Sequence, residues 1–257
     1  MTTKNKNEIK ILKEAGKILA LILHKISLLT VPNTSSIELN KYAENLILKA
    51  GGIPSFKGYV DQDSKKIFPA SLCVSLNEEV VHGIPHLKKI LREGDIVGLD
   101  LGMKWPAKNG LYVDAAITLP VGKINPENHK LIEVCRAALY HGISKIKQNG
   151  NVGDIGFAVQ NLSEKNGFNV VKNLVGHGVG KKVHEEPMIP NWGKLGQGIK
   201  IKKGMVLAIE PMITQGKERV ILDKNGWTWK TADKSLSAHF EHTVLVTENG
   251  VEILTKI

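Results

Sequence analysis

Apolar residues recur three or four positions apart between residues 8 and 29, with Lys13, Lys17 and Lys25 falling between them. That period predicts an amphipathic helix with one buried stripe. Pro32-Asn33 ends it, and Ser35 with Glu38 carries the capping-box signature of a second helix, closed by Gly51-Gly52. From residue 71 the pattern shortens to apolar, β-branched runs. Segments 71–76, 80–82, 96–103 and 111–121 are expected to be strands, the last two joined at an Asn109-Gly110 turn. Asn125-Pro126 opens a third helix with Leu131, Val134, Ala138 and Ile143 turned inward, expected to run to Gly150, and a fourth covers 154–165. Segments 170–179, 200–212 and 239–246 read as strands again, separated by Gly and Pro.

The order helices, strands, helices, strands predicts an α/β (α+β) chain and hints at an internal duplication. Gly94 stands six residues before Asp100 on an apolar strand, and Gly204 stands six before Glu210. At 257 residues and 42% hydrophobic, residues 1–257 are expected to form a single domain with a substantial core. The first helical segment is too interrupted by lysine to span a membrane, and it lacks the cleavage site of a secretory signal. Cys73 and Cys135 lie far apart and form no C-x-x-C pair, which fits reduced thiols in the cytoplasm.

The formal net charge is +10, but Arg92, Arg136 and Arg219 are the only arginines. Base reading leans on arginine forks, so a sequence-specific nucleic-acid reader is not expected. A lysine-rich surface instead suits solubility and, at most, a transient charge-driven contact such as one with the ribosome.

The chemically informative residues are acids set inside apolar strands: Asp100 in Ile96–Leu101, Asp114 in Tyr112–Ala116, Glu210 in Ala208–Met212, and Glu241 beside Phe240. A buried carboxylate is costly unless it is protonated, paired or bound to metal. If the strands around Asn109-Gly110 form a hairpin, Asp100 and Asp114 can share one face, and the second half can present Glu210 and Glu241 similarly. Converging acids call for cations. His177, in Gly176-His177-Gly178-Val179-Gly180, has small neighbours that leave its imidazole room to reach a metal; His82 and His184 sit in similarly turn-rich settings. Four carboxylates and an imidazole suit Mn, Fe, Co or Zn. Two such ions, about 3.5–4 Å apart, can share carboxylates and lower the pKa of water from about 15.7 toward roughly 7, giving a nucleophile for amide hydrolysis. The glycine run lacks phosphate-loop spacing, and no serine or cysteine nucleophile signature is present.

Asn77-Glu78-Glu79-Val80-Val81-His82-Gly83-Ile84-Pro85, Gly176–Gly180 with His184-Glu185-Glu186-Pro187, Ile209-Glu210-Pro211-Met212 and Phe240-Glu241-His242-Thr243 occur in this order along nearly the whole chain. Together they closely resemble the bacterial-type (type I) methionine aminopeptidases. The resemblance implies the pita-bread fold, in which two pseudo-symmetric α/β halves enclose a dimetal centre, and a metalloexopeptidase that removes the initiator methionine when the second residue is small. It further implies that Asp100, Asp114, His177, Glu210 and Glu241 hold two divalent ions, with Asp114 and Glu241 bridging and Glu210 the candidate general base. By the same resemblance His82 and His184 contact substrate and its developing oxyanion, and Tyr59, Phe68, Cys73 and Trp227 line the methionine pocket.

Three departures bear on these expectations. Asp100 and Asp114 are fourteen residues apart, a longer hairpin than the family's usual one. Residues 60–67 lengthen the approach to the pocket, and Val183 replaces an aromatic before His184, which is expected to widen the pocket. The substrates implied are nascent polypeptide N-termini, with the enzyme acting as a monomer. Met1-Thr2 fits such a substrate, so self-processing is expected. The alternatives are an X-Pro aminopeptidase or dipeptidase of the same fold, or a non-catalytic ribosome-associated binding module.

Overall fold

A computed structural model describes residues 3–61 and 64–256, so Met1 and Thr2, where self-processing would act, and part of the 60–67 loop lie outside the described residues. Helix α1 (Lys6–Ser27) starts at Asn5, whose side chain accepts from the Glu8 amide while the Asn5 amide donates to the Glu8 carboxylate. Helix α2 (Ser36–Lys49) starts as the capping signature predicts: the Ser35 amide and hydroxyl both donate to Glu38. Strands β1 (Ile53–Pro54), β2 (Cys73–Leu76) and β3 (Glu79–Val81) lead into the long hairpin of β4 (Ile96–Trp105) and β5 (Leu111–Pro120).

The second half repeats the order. Helices α3 (Pro126–Ile143) and α4 (Val152–Lys165) precede β6 (Asn169–Val170), β7 (Val175–Gly178), β8 (Glu185–Pro190), β9 (Val206–Ile209) and β10 (Met212–Thr214). Strands β11 (Val220–Leu222), β12 (Trp229–Thr231), β13 (Ser237–His239), β14 (Glu241–Thr247) and β15 (Gly250–Ile253) follow. The principal sheet runs β1-β4-β5-β14-β9-β7-β8, with β2 also paired to β4 and β15 to β14. Two small sheets, β13-β10-β6 and β11-β12-β3, flank it.

The halves meet in the middle of this sheet, each with its own core. Leu12, Leu19, Ile26, Leu39 and Ile47 of α1 and α2 pack on Leu99, Leu101 and Val113 of the β4-β5 hairpin. Leu131, Cys135, Ile155 and Val159 of α3 and α4 pack on Leu207, Ile209 and Val244 of β9 and β14. The six-residue match reflects a structural repeat. Gly94 and Gly204 both adopt positive φ, +92° and +83°, which glycine tolerates without strain, just before β4 and β9. Their amides donate to the carbonyls of Val121, after β5, and Val246, at the end of β14.

Several expected elements are interrupted. The third helix stops at Ile143, and Ser144 turns its hydroxyl back to the His141 carbonyl, so residues up to Gly150 form turns. The expected strand over 200–212 divides at Glu210-Pro211 into β9 and β10, and the one over 239–246 divides at Phe240 into β13 and β14. The run 170–179 contains only β6 and β7. Pro211 has no amide for a ladder, and there the chain passes from β9 in the principal sheet to β10 in a small one; at Phe240 it returns, from β13 to β14.

Between the halves, β5 and β14 share only two paired positions, Glu241 with Ala116 and His242 with Ala115. Two buried threonines extend that short seam. Thr243 Oγ1 accepts from the Asp114 amide at 2.9 Å and donates to the Asp114 carbonyl at 2.7 Å. Thr118 Oγ1 makes the same pair of bonds with the amide and carbonyl of His239, at 2.9 and 2.7 Å. A Thr243→Val substitution keeps the shape but orphans a buried amide and carbonyl, at a cost of about 2–4 kcal/mol. Denaturant unfolding of the metal-free protein should show that loss, whereas an unchanged midpoint would mean that the clamp contributes nothing to the seam.

Candidate metal centre

Strand register decides which side chains share a face, because successive residues point to opposite sides of a sheet. Asp100 on β4 and Glu241 on β14 both stand opposite Ala116 of β5. Asp114, two residues back along β5, therefore joins them on one face. On β14 the same face continues to Thr243, which pairs with Ala208, and Ala208 pairs in turn with His177 of β7. Glu210 follows two residues after Ala208, just past the end of β9. The five residues expected to act together thus converge, with the small side chains of Ala116 and Ala208 leaving space between them.

Ligand atoms of Asp114, His177 and Glu241 lie within 4.8 Å of one another. His177 Nε2 is 3.4 Å from Glu210 Oε1. His177 Nδ1 sits 2.9 Å from the Gly178 carbonyl, so the proton belongs on Nδ1 and the Nε2 lone pair faces the acids. Burial holds the His177 pKa down at about 3, leaving the ring neutral and able to ligate at any ordinary pH.

The carboxyl groups respond in the opposite direction. Burial pushes Asp100 up to about 7. Asp114 is raised by burial and by the charge of Asp100, Glu210 by burial and by both aspartates, and Glu241 by burial and by the other three acids. No lysine or arginine pairs with these acids among the described salt bridges. Asp100 Oδ1 and Glu241 Oε1 are buried with no hydrogen-bond partner. Orphaned acceptors, mutually repelling carboxylates and a neutral imidazole on one face together fit hard or borderline divalent cations.

The acids open into a cavity of about 680 Å³ that also contains His82 and His184. A second cavity of about 410 Å³ shares Phe56, His82 and His184 with it and is lined by Tyr59, Phe68, Cys73 and Trp227. All four expected pocket residues therefore come together. The Phe68 and Trp227 rings meet edge to face at 5.2 Å, and Phe68 and Cys73 are almost fully buried. Despite its longer approach loop, Tyr59 is well placed: its hydroxyl lies 2.9 Å from His184 Nδ1 and its ring packs edge-on against His184 at 5.2 Å. Val183 is buried and lines neither cavity; Phe56 lines both.

His82 has φ +57° and bonds to the Trp227 backbone, and burial lowers its pKa to about 4; burial lowers that of His184 as well. Sequence reasoning missed His239, whose buried Nε2 has no hydrogen-bond partner and faces Glu210 Oε2 at 3.7 Å. It also missed Phe56, common to both cavities, and the two threonine clamps. A polar residue ending a short strand, as His239 ends β13, was the available signal, but its use depends on a neighbour in another sheet.

Residues 10–248 match metallopeptidase family M24. The chain is 46% identical to the methionine aminopeptidase of Clostridium perfringens, across 99% of this chain and 98% of the relative. It is 43% identical to methionine aminopeptidase 1 of Bacillus subtilis at 99% and 98% coverage. The crystal structure of methionine aminopeptidase from Thermotoga maritima superposes with a TM-score of 0.94 at 42% identity, each chain covered completely. A prolidase from Pyrococcus furiosus shares the pita-bread fold at a TM-score of 0.78 and 23% identity, over 99% of this chain and 65% of that one.

Raised carboxyl pKa values mean that the metal-free protein holds protons an incoming cation must displace. For an acid whose folded pKa lies above its unfolded one, stability is intact below the unfolded value near 4 and is lost as pH rises through the folded value, here about 7 for Asp100. A divalent cation should therefore bind more tightly at pH 8 than at pH 6, raise the melting temperature more at pH 8, and release protons as it binds. Calorimetric titration with Mn²⁺ in buffers of different ionisation enthalpy measures that release. Heats independent of buffer, with affinity independent of pH, would contradict the electrostatic account.

Proposed function

The chain belongs to metallopeptidase family M24 and to the methionine aminopeptidases within it, and from that premise we propose how its residues divide the work of removing an N-terminal methionine. Asp100, Asp114, His177, Glu210 and Glu241 would hold two divalent ions. When bound, such ions acidify water and polarise the scissile carbonyl. The observation that carries the proposal is the pair of adjoining cavities: the acid cluster opens into one, the aromatic pocket forms the other, and His82 and His184 belong to both. A methionine side chain seated among Tyr59, Phe68, Cys73 and Trp227 brings its own carbonyl past the two histidines toward the acids.

Glu210 acts as general base. Its carboxyl is less enclosed than those of Asp114 and Glu241, and its pKa, raised by burial and by the charges of Asp100 and Asp114, suits a group that takes up a proton. His82 and His184 remain neutral at pH 7, so they donate hydrogen bonds without placing extra positive charge beside the ions. Tyr59 donates to His184 Nδ1, which leaves Nε2–H to face the scissile amide and the oxygen on which charge develops. The soft sulfur of methionine gains from the surrounding aromatic edges.

The described residues include no helix long and apolar enough to cross a membrane. We assign the protein, as a single catalytic domain and a monomer, to the cytoplasm, where it acts on nascent chains whose second residue is small. Its +10 charge supports a salt-sensitive contact with the ribosome.

Metal-stripped protein should release methionine from Met-Ala-Ser only after Mn or Co is restored, and should leave Met-Leu-Ser largely intact. Asp114→Asn should abolish the activity, and Glu210→Gln should lower kcat by about 10²–10⁴ with a smaller effect on KM. Release from Ala-Pro peptides in preference to Met-Ala-Ser would move the assignment to an X-Pro peptidase. No release with any metal would favour a binding module.

A further inference from the structure

The substrate of this site is a polypeptide, so the residues after the scissile bond must leave the cleft along some surface. Strand β8, at the end of the principal sheet beyond β7, offers one. Glu186, Met188 and Pro190 alternate along it and share one face. Glu186 and Met188 line the catalytic cavity; Met188 and Pro190 line a neighbouring groove of about 640 Å³. One strand face is thus the continuous floor of both.

The walls of the groove include Lys172, Trp192, Gln197 and Ile199. Met188 is 62% exposed, Trp192 44% and Ile199 39%, so apolar surface lies open beside the cleft. The Trp192 indole is held in place by a 3.3 Å hydrogen bond from Nε1 to the Lys172 carbonyl. Its ring is therefore a fixed platform rather than a loose side chain.

We infer that this groove binds the extended segment of the substrate polypeptide downstream of the second residue, with Met188 and Trp192 as its main contacts. The inference rests on the methionine aminopeptidase reading of the site. Glu185 to Pro190 runs opposite only Gly178 to Val175 of β7, three steps of roughly 3.3 Å, so the floor advances about 10 Å, enough for about three residues of extended chain. Pro187 and Pro190 have no amide hydrogen, so β8 cannot offer a full backbone ladder to an added strand. Contact instead falls on thioether and aromatic surface, which accepts many sequences. Broad acceptance is what an enzyme acting on many different nascent chains requires.

The test compares kcat/KM for Met-Ala-Ser with that for a nonapeptide beginning Met-Ala-Ser, using metal-loaded wild type and the variants Trp192→Ala and Ile199→Ser. The wild type should prefer the nonapeptide by about tenfold, the scale of one aromatic interface contact. Trp192→Ala should erase most of that preference, and Ile199→Ser part of it, while Met-Ala-Ser is cleaved at the wild-type rate by both. Circular dichroism and intact tripeptide activity establish that the variants fold. Equal values for the two peptides in the wild type, or equal proportional losses on both in the variants, would overturn the groove assignment and leave the aminopeptidase assignment standing. Absence of methionine release from either peptide by the wild type would overturn both.

Discussion

Four carboxyl groups facing one another inside a protein repel, and among the described residues no lysine or arginine is ion-paired with them to offset that repulsion. The arrangement around Asp100, Asp114, Glu210 and Glu241 makes sense as a cation site. Rigid support for the acids follows from this requirement. Each sits on or beside a strand of the principal sheet, each strand is backed by a core of buried Leu, Ile and Val, and the two threonine clamps tie the halves together where the acids meet. A site on loops would relax away from the repulsion; a site on paired strands cannot.

Duplication accounts for the economy of the arrangement. Each half contributes an outer acid, Asp100 on β4 or Glu210 after β9, and an inner acid, Asp114 on β5 or Glu241 on β14. The inner pair lies beside the seam and the outer pair flanks it. His177 enters from β7 in the second half alone, and this breaks the symmetry of the centre. The same asymmetry appears in the cavities, where His82 comes from the first half and His184 from the second, and the aromatic pocket is built mainly from first-half residues with Trp227 crossing over.

Much of this was legible in the sequence because its signals are local. Acids within apolar strands, the Ser35–Glu38 capping signature and the Asn109-Gly110 turn each report on a few neighbouring residues, and the β4-β5 register then places Asp100 and Asp114 on one face. Boundaries were less legible where an apolar pattern runs through a change of sheet, as at Glu210-Pro211 and Phe240. Strand β8 carries charges and prolines, and β11 and β12 are only three residues long, so no alternation announces them. His239, Thr118 and Thr243 have roles that depend on partners 100 or more residues away, or on another sheet, and no local pattern encodes such pairings.

The central claim is that five side chains on one sheet face hold two divalent ions. Anomalous diffraction from crystals grown with Mn²⁺, recorded on both sides of the manganese edge, tests it most directly. The account predicts two peaks among Asp100, Asp114, His177, Glu210 and Glu241, with Asp114 and Glu241 touching both. A single peak there would contradict the shared pair, and peaks lying only elsewhere on the protein would contradict the metal centre itself.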